Sequence, residues 1–253
     1  MSAATDRFAL AGKVALVTGG SRGLGREMVL AFAEAGADVV ITSRNAGSCA
    51  ELATEVERET GRSALAYGCH VGHWDELPGL LDAVYDRFGR LDVLVNNAGK
   101  SPLYSSLTDV DERLWDSVLA VNLKGPFRLT ALAGEQMAAA DGGSIINISS
   151  TASVHPRPEV VPYAAAKAGL NAMTTGFALA YGPKVRVNCI MAGPFLTDIS
   201  KAWDMEAFRQ RAQRHALKRG GNPDEIVGAA LYFASDASSF TTGAVLTVDG
   251  GIP

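Results

Sequence analysis

Residues Lys13 to Gly25 read KVALVTGGSRGLG, an apolar run that stops at a cluster of glycines and leads straight into a segment of helical period. A run that is apolar at nearly every position, rather than at alternate ones, is expected of a strand covered on both faces. The glycines beyond it permit positive φ and let backbone N–H groups approach a phosphate. The helix start that follows offers unpaired donors and a favourable dipole. Strand, glycine turn and helix in that order are the context a dinucleotide site needs. The spacing GxxxGxG, Gly19-Gly23-Gly25, is a variant of the dinucleotide fingerprint, and Arg26 in place of lysine after the last glycine excludes a P-loop. Gly19, Ser21, Arg22, Gly23, Leu24 and Gly25 are the candidate phosphate contacts, with a tight turn that binds nothing as the alternative.

Outward from this stretch the same alternation continues to the end of the chain. Strands are expected at Lys13–Thr18, Asp38–Thr42, Ala64–Gly68, Leu91–Val95, Gly143–Ser149, Val185–Ile190 and Ala244–Val248, and helices near Leu24–Ala35, Gly47–Thr60, Asp75–Phe88, Glu112–Ala139, Val161–Tyr181 and Pro223–Ala234. Runs such as VVIT, DVLV and SIINI are again apolar throughout. The pattern predicts an α/β protein: one doubly wound, mostly parallel seven-stranded sheet with helices on both faces. No linker, repeat or low-complexity tract marks a second domain, so residues 1–253 are expected to form a single domain with one long insertion near 197–221.

Composition excludes several classes. The chain has 253 residues, 47% hydrophobic and 20% charged, close to the soluble globular mix, so disordered and fibrous classes fit poorly. The net charge of −4 provides no overall basic field for nucleic acid or anionic lipid. Cys49, Cys69 and Cys189 are odd in number and lack metal-ligand spacing, which supports neither a disulfide framework nor a metal site and fits a reducing cytoplasm. No apolar run is long enough to span a bilayer, and the start of the chain lacks a signal-peptide pattern. The sequon Asn147-Ile148-Ser149 lies inside a strand-like run, where an acceptor asparagine is not expected.

Much later, Tyr163-Ala164-Ala165-Ala166-Lys167 places a phenol and an ammonium four residues apart on one helix face. Both groups titrate near about 10 when free, so a tyrosine working as acid or base near neutrality needs its pKa lowered, and a neighbouring cation has that sign. Taken alone, this spacing reads as a solvated helical tyrosine with an unrelated lysine, and only its company changes that reading.

Taken together, TGGSRGLG, then Asn96-Asn97-Ala98-Gly99 after the fourth strand, then YAAAK, resemble the short-chain dehydrogenase/reductase family in order and spacing, over essentially the whole chain. The resemblance implies a Rossmann-type fold and a catalytic set of Asn122, Ser150, Tyr163 and Lys167. Ser150, thirteen residues before Tyr163, would hold the substrate oxygen, its neighbour Ser149 being the other candidate. Tyr163 would transfer the proton, Lys167 would depress the Tyr163 pKa and hold the ribose, and Asn122 would complete a proton relay. No metal is required. Cofactor contacts are implied at Asn97, Ala98 and Gly99, at Tyr163 and Lys167, and at Gly193, Phe195 and Thr197 after the sixth strand. The family usually has proline where this chain has Ala192. After the third strand, where the family usually has aspartate beside the adenine, stand His70 and Val71. The His70 ring could meet adenine through one nitrogen or by stacking, or its backbone alone could matter. His73, His155 and His215 show no ligand spacing.

At the end of the second strand, where NAD-specific relatives place an acid, this chain has Ser43 and Arg44. Arg22 and Arg44 could embrace a 2′-phosphate, which points to NADP(H) and to reduction as the favoured direction. The expected activity is hydride transfer between nicotinamide and a carbonyl or secondary alcohol, with 3-oxoacyl thioesters, steroids, quinones and sugars all admissible. The resemblance makes 197–221 a substrate lid. It carries Lys201, Arg209, Arg211, Arg214, Lys218 and Arg219 with Trp203, Met205 and Phe208. Arg211, Arg214 and Lys218 are expected on one helical face, suited to an anionic substrate or simply to solvent, and Arg157 before Tyr163 raises the same choice. The resemblance also implies a homotetramer. The alternatives are a catalytically silent NADP-binding sensor on the same fold, or a nucleic-acid binder resting on the basic insertion alone.

Overall fold

The computed structural model describes residues 7–198, 200 and 204–253. Lys201 and Trp203 of the insertion therefore lie outside the described residues. Seven parallel strands form one sheet in the order β3-β2-β1-β4-β5-β6-β7. They are β1 (Val14–Thr18), β2 (Asp38–Ser43), β3 (Ala64–Gly68), β4 (Val93–Asn96), β5 (Gly143–Ser150), β6 (Val185–Ala192) and β7 (Val245–Val248). The helices are α1 (Gly23–Glu34), α2 (Ala46–Thr60), α3 (Leu77–Phe88), α4 (Glu112–Leu119), α5 (Gly125–Ala139), α6 (Val161–Tyr181), α7 (Met205–Ala212) and α8 (Val227–Ala234).

The apolar strand runs are buried as expected: every residue of β1 and β4 is inaccessible. One face of the sheet packs against Met28 and Phe32 of α1, Leu52 and Val56 of α2, and Ile226 and Phe233 beside and within α8. The other packs against Leu80 and Val84 of α3, Leu129 and Met137 of α5, and Ala178 of α6. The edge strand β7 differs, since Val245 and Leu246 stay exposed, as do Phe240 and Leu179 elsewhere on the surface. Asn147 is buried within β5, which rules it out as a glycosylation acceptor, and all three cysteines are free and buried. No helix among the described residues is long and apolar enough to cross a membrane.

Two expectations need correction. The single helix expected over Glu112–Ala139 is broken by a π-turn at Ala120–Lys124. Pro126 has no N–H to continue the α ladder, and a Cβ on Gly125 would overlap the Val71 carbonyl, so only glycine lets this turn meet the segment after β3. The basic face of the insertion does not form either. α7 stops at Ala212, leaving Arg211 alone on the helix, while Arg214 lies in a turn and Lys218 adopts a left-handed φ of 54°. All three are exposed.

Because β1 pairs with β2 on one side and β4 on the other, chain order reverses between β1 and β4. The carboxyl ends of these strands therefore open a crevice, the usual ligand position in such sheets.

Candidate active site

The glycine loop fills one wall of that crevice. Gly19 and Gly23 hold φ of 62° and 53°, values that favour glycine, and a Cβ on Gly25 would overlap the Gly19 carbonyl. Arg22 stands at the N-cap of α1 without a side-chain cap, so the first N–H groups of the helix face the crevice uncapped by it. The loop is thus too tightly packed for side chains at Gly19 and Gly25, and the uncapped helix start beside it fits a pyrophosphate. Asn97 seals its far side, its Nδ2 donating to the carbonyls of Thr18 (2.8 Å) and Gly19 (3.2 Å). Thr18, which sequence reasoning missed, is the hinge of this contact. Its Oγ1 accepts from the N–H groups of Asn97 and Ala98, each at 3.0 Å, and donates to the Val95 carbonyl.

The second wall is built where β5 meets α6. The Ser150 hydroxyl lies near enough to Tyr163 to act on its pKa, and Ser150 Oγ accepts from Ala152 N–H at 3.2 Å. Ser149 points the other way, its hydroxyl donating to the Lys167 carbonyl at 3.2 Å, so of the two serines Ser150 is the one facing Tyr163. Lys167 is 3% exposed, with Nζ donating to the Ile148 carbonyl at 2.7 Å and lying 5.7 Å from the Tyr163 ring centre. Asn122 is fully buried in the π-turn. Its Oδ1 accepts from Lys100 N–H (3.2 Å) and its Nδ2 donates to the carbonyls of Lys100 (2.8 Å) and Val118 (2.9 Å). A Cβ on Gly99 would lie 3.3 Å from Asn122 Oδ1 and 4.0 Å from Lys167 Nζ, which joins the loop after β4 to this corner. The four residues of the expected catalytic set are thus brought to one place.

Burial raises the Tyr163 pKa, and the Ser150 hydroxyl opposes that rise. Burial also lowers the Lys167 ammonium to about 8.

At the opposite end of the crevice, Ser43 and Gly68 are in register at the ends of β2 and β3. Ser21 donates to Ser43 Oγ at 3.1 Å, tying the glycine loop to β2. Arg44 is exposed and acts electrostatically on His70, while Arg22 faces Asp198 across 3.8 Å. After β6, Gly193 N–H donates to Val248, and the N–H groups of Phe195 and Thr197 close back on the carbonyls of Gly193 and Phe195. A Cβ on Gly23 would touch the Thr197 side chain at 3.4 Å, so this segment lies against the glycine loop.

A family model described as enoyl-(acyl carrier protein) reductase matches residues 19–253. The short chain dehydrogenase/reductase astE of Aspergillus oryzae is 36% identical over 258 residues, covering 100% of this chain and 99% of that protein. This chain is a short-chain dehydrogenase/reductase. The 2-dehydro-3-deoxy-D-gluconate 5-dehydrogenase of Pseudoalteromonas atlantica is 37% identical, with 97% of this chain and 98% of that protein covered. The crystal structure of a gluconate 5-dehydrogenase from Burkholderia cenocepacia in complex with NADP and tartrate superposes with a TM-score of 0.93 at 36% identity, covering 98% of each chain.

Within this family frame His70 remains a departure. Its ring stacks on His73, centres 4.2 Å apart, and its Nδ1 accepts from Gly72 N–H at 3.2 Å. Glu76 holds both residues, accepting from His70 N–H at 2.9 Å and pairing with His73 Nδ1 at 2.6 Å. Tyr104 is a second residue the sequence did not single out. Its hydroxyl donates to Pro158 and accepts from Val161 N–H at 2.8 Å, fastening the loop after β4 to the start of α6. Nothing in its local sequence signals this, since the partners lie more than fifty residues away. Among the described residues no cluster of His, Cys, Asp or Glu could hold a metal.

Proposed function

We propose that this short-chain dehydrogenase/reductase is an NADP(H)-dependent enzyme that transfers a hydride between nicotinamide and a carbonyl or secondary alcohol, with Tyr163 as the general acid and base. The observation that carries this reading is the meeting of Tyr163, Ser150 and Asn122 at the buried Lys167, whose Nζ lies 5.7 Å from the Tyr163 ring centre. The bound nicotinamide supplies the hydride to the carbonyl carbon, or takes it up in the reverse direction.

The chain's own residues handle the oxygen. Ser150 Oγ orients the carbonyl oxygen, and Tyr163, which burial keeps protonated, gives its proton to that oxygen as negative charge develops there. Lys167 places its ammonium behind the tyrosine and toward the ribose. The Asn122 side chain is engaged with Lys100 and Val118 beside Gly99 and Lys167, where it would complete the proton relay. Gly193, Phe195 and Thr197 would border the nicotinamide, and the 197–221 segment would cover the substrate.

NADP(H) rather than NAD(H) is supported by Arg22 and Arg44 beside Ser43, with no carboxylate at the end of β2. The bound NADP in the Burkholderia relative is consistent with it. The relatives' names admit a sugar acid as substrate, and a panel of keto acids, keto sugars, 3-oxoacyl thioesters and steroid ketones, scored by loss of NADPH absorbance, tests the activity and sorts these classes. Reduction of none of them by protein that binds NADPH would overturn the enzyme reading in favour of a sensor.

A homo-oligomer is supported by the uncovered apolar β7 edge with Val245 and Leu246. Phe127, exposed at the centre of a run of half-buried rings with Trp74, Phe177 and Tyr181, is a second apolar point on the surface. Sedimentation at equilibrium should give a multiple of the chain mass; a monomer at micromolar concentration would refute this.

A further inference from the structure

α6 carries Tyr163 in its first turn, two residues after Val161 opens the helix. The first N–H groups of a helix have no partner within it, and Val160, the residue before this one, supplies no side-chain cap. Pro162 brings no N–H at all. The start of α6 is therefore held from outside, and the Tyr104 hydroxyl does this. It accepts from Val161 N–H at 2.8 Å and donates to the Pro158 carbonyl, so one side chain caps the helix and closes the Pro158–Val160 turn that leads into it.

Tyr104 is itself anchored to the catalytic corner. Four residues earlier, Lys100 N–H donates to Asn122 Oδ1 at 3.2 Å and the Lys100 carbonyl accepts from Asn122 Nδ2 at 2.8 Å. The 100–104 segment thus runs from Asn122 to the start of α6. Pro102, Leu114, Val118 and Pro162 line a cleft shared with Tyr104 and Tyr163 that is too narrow for a water molecule. The loop that follows Ser150 has its own fastening, since Asn171 Nδ2 donates to Ser153 Oγ at 2.9 Å. Ser150 and Tyr163 therefore stand on backbone that is tied down separately, the serine by the β5–β6 ladder and Ser153, the tyrosine by Tyr104.

We propose that Tyr104 is a positioning residue for proton transfer: by capping α6 it holds the Tyr163 phenol in reach of the substrate oxygen that Ser150 orients. The inference rests on the proton-donor role proposed above for Tyr163 and adds to it the group that fixes the donor's place. Tyr104 needs no contact with substrate or nucleotide to do this. A proton donor works across about 2.6–3.2 Å, and a misplacement of about 1 Å costs up to about 10²-fold in rate. Pro158 and Val161 are exposed, so their backbone groups can bond to water once the hydroxyl is gone. Its removal should therefore loosen the helix start without unfolding the protein.

Tyr104→Phe keeps the ring in the cleft and removes only the hydroxyl. With NADPH and a carbonyl substrate that the unmutated protein reduces, kcat should fall by about tenfold, while KM and the NADPH dissociation constant stay within about threefold. The same change made in Tyr163→Phe should cost nothing further in kcat, because no phenolic proton is left to place. Such non-additivity marks residues that act as one unit. An unchanged kcat in Tyr104→Phe, a loss confined to KM, or an equal loss with and without the Tyr163 hydroxyl would overturn the proposal. NADPH binding weakened by more than about tenfold would show general damage to the fold, also against it. Normal turnover in Tyr163→Phe would instead remove the proton-donor reading on which the inference rests, and this inference with it.

Discussion

At the β5–α6 end of the crevice the polar groups end on other protein groups. Lys167 is buried on Ile148, Ser149 bonds back to the Lys167 carbonyl, and Asn122 spends both side-chain ends on Lys100 and Val118. At the β2–β3 end Arg22 is 67% exposed and holds Asp198 only at 3.8 Å, and Arg44 stands in solvent. The first end is preorganised and water-poor, where a fixed dipole or proton is worth most; the second works through charges that solvent and salt screen. Changes at the buried corner should therefore appear in the rate. Changes at the exposed corner should appear in which nucleotide binds, and how that depends on salt.

The sharpest way to break this contrast is Tyr163→Phe, which keeps the ring and removes the proton. Turnover should fall by roughly 10²–10⁴ while NADPH affinity stays nearly unchanged. Single-turnover reduction and nucleotide titration on the same preparation check both halves. Normal turnover would sink the assignment of Tyr163.

Next in size is Arg44→Asp. It places a carboxylate where the 2′-phosphate is expected and should reverse the preference from NADPH to NADH, moving the ratio of dissociation constants by about 10- to 100-fold. Unmutated protein that binds NADH more tightly would refute the NADP(H) assignment before any variant is made.

The third effect is a pH dependence that belongs to the buried corner. Burial lowers the Lys167 pKa to about 8, so the ammonium is present below that pH and is lost as pH rises through it. NADPH-linked reduction should fall on the alkaline side of about 8, by up to about tenfold per pH unit if the charge is essential. Lys167→Arg retains the cation and should flatten that limb even if its overall rate is lower. An alkaline limb unchanged in Lys167→Arg would assign it to another group.

The comparison also shows where a sequence can be read and where it cannot. The KVALVTGGSRGLG stretch is legible because period, glycine placement and helix start are all local, and the strand, turn and helix follow. Tyr163, Lys167 and Ser150 come together because residues four and thirteen apart are carried by one helix and one strand end, whereas only the family resemblance pointed to Asn122 beside them. The break in Glu112–Ala139 was hidden because apolar period runs on through a π-turn, and the close approach of Gly125 to Val71 lies across the fold. The basic face of the insertion was an artefact of extending helical period past Ala212. Thr18 and Tyr104 act only through partners 54 to 80 residues away, for which no local signal exists. The exposed β7 edge reads like a covered strand because its residues are equally apolar.

The smallest expected effect sharpens the exposed end. Arg22 and Asp198 connect the glycine loop to the segment after β6, and if Arg22 also serves the 2′-phosphate, Asp198 competes for it. An exposed pair at this distance contributes roughly 0–1 kcal/mol, so Asp198→Asn should tighten NADPH binding by about fivefold at most. NADH lacks the 2′-phosphate, so its affinity should not change. The gain should shrink as salt is raised toward 1 M, where charges beyond about 3 Å are screened, whereas the Tyr163→Phe rate defect should not depend on salt at all. Titrations of both nucleotides at low and high salt decide it. Equal tightening of NADH and NADPH would show that Asp198 acts by moving the segment after β6 and not by holding the Arg22 guanidinium.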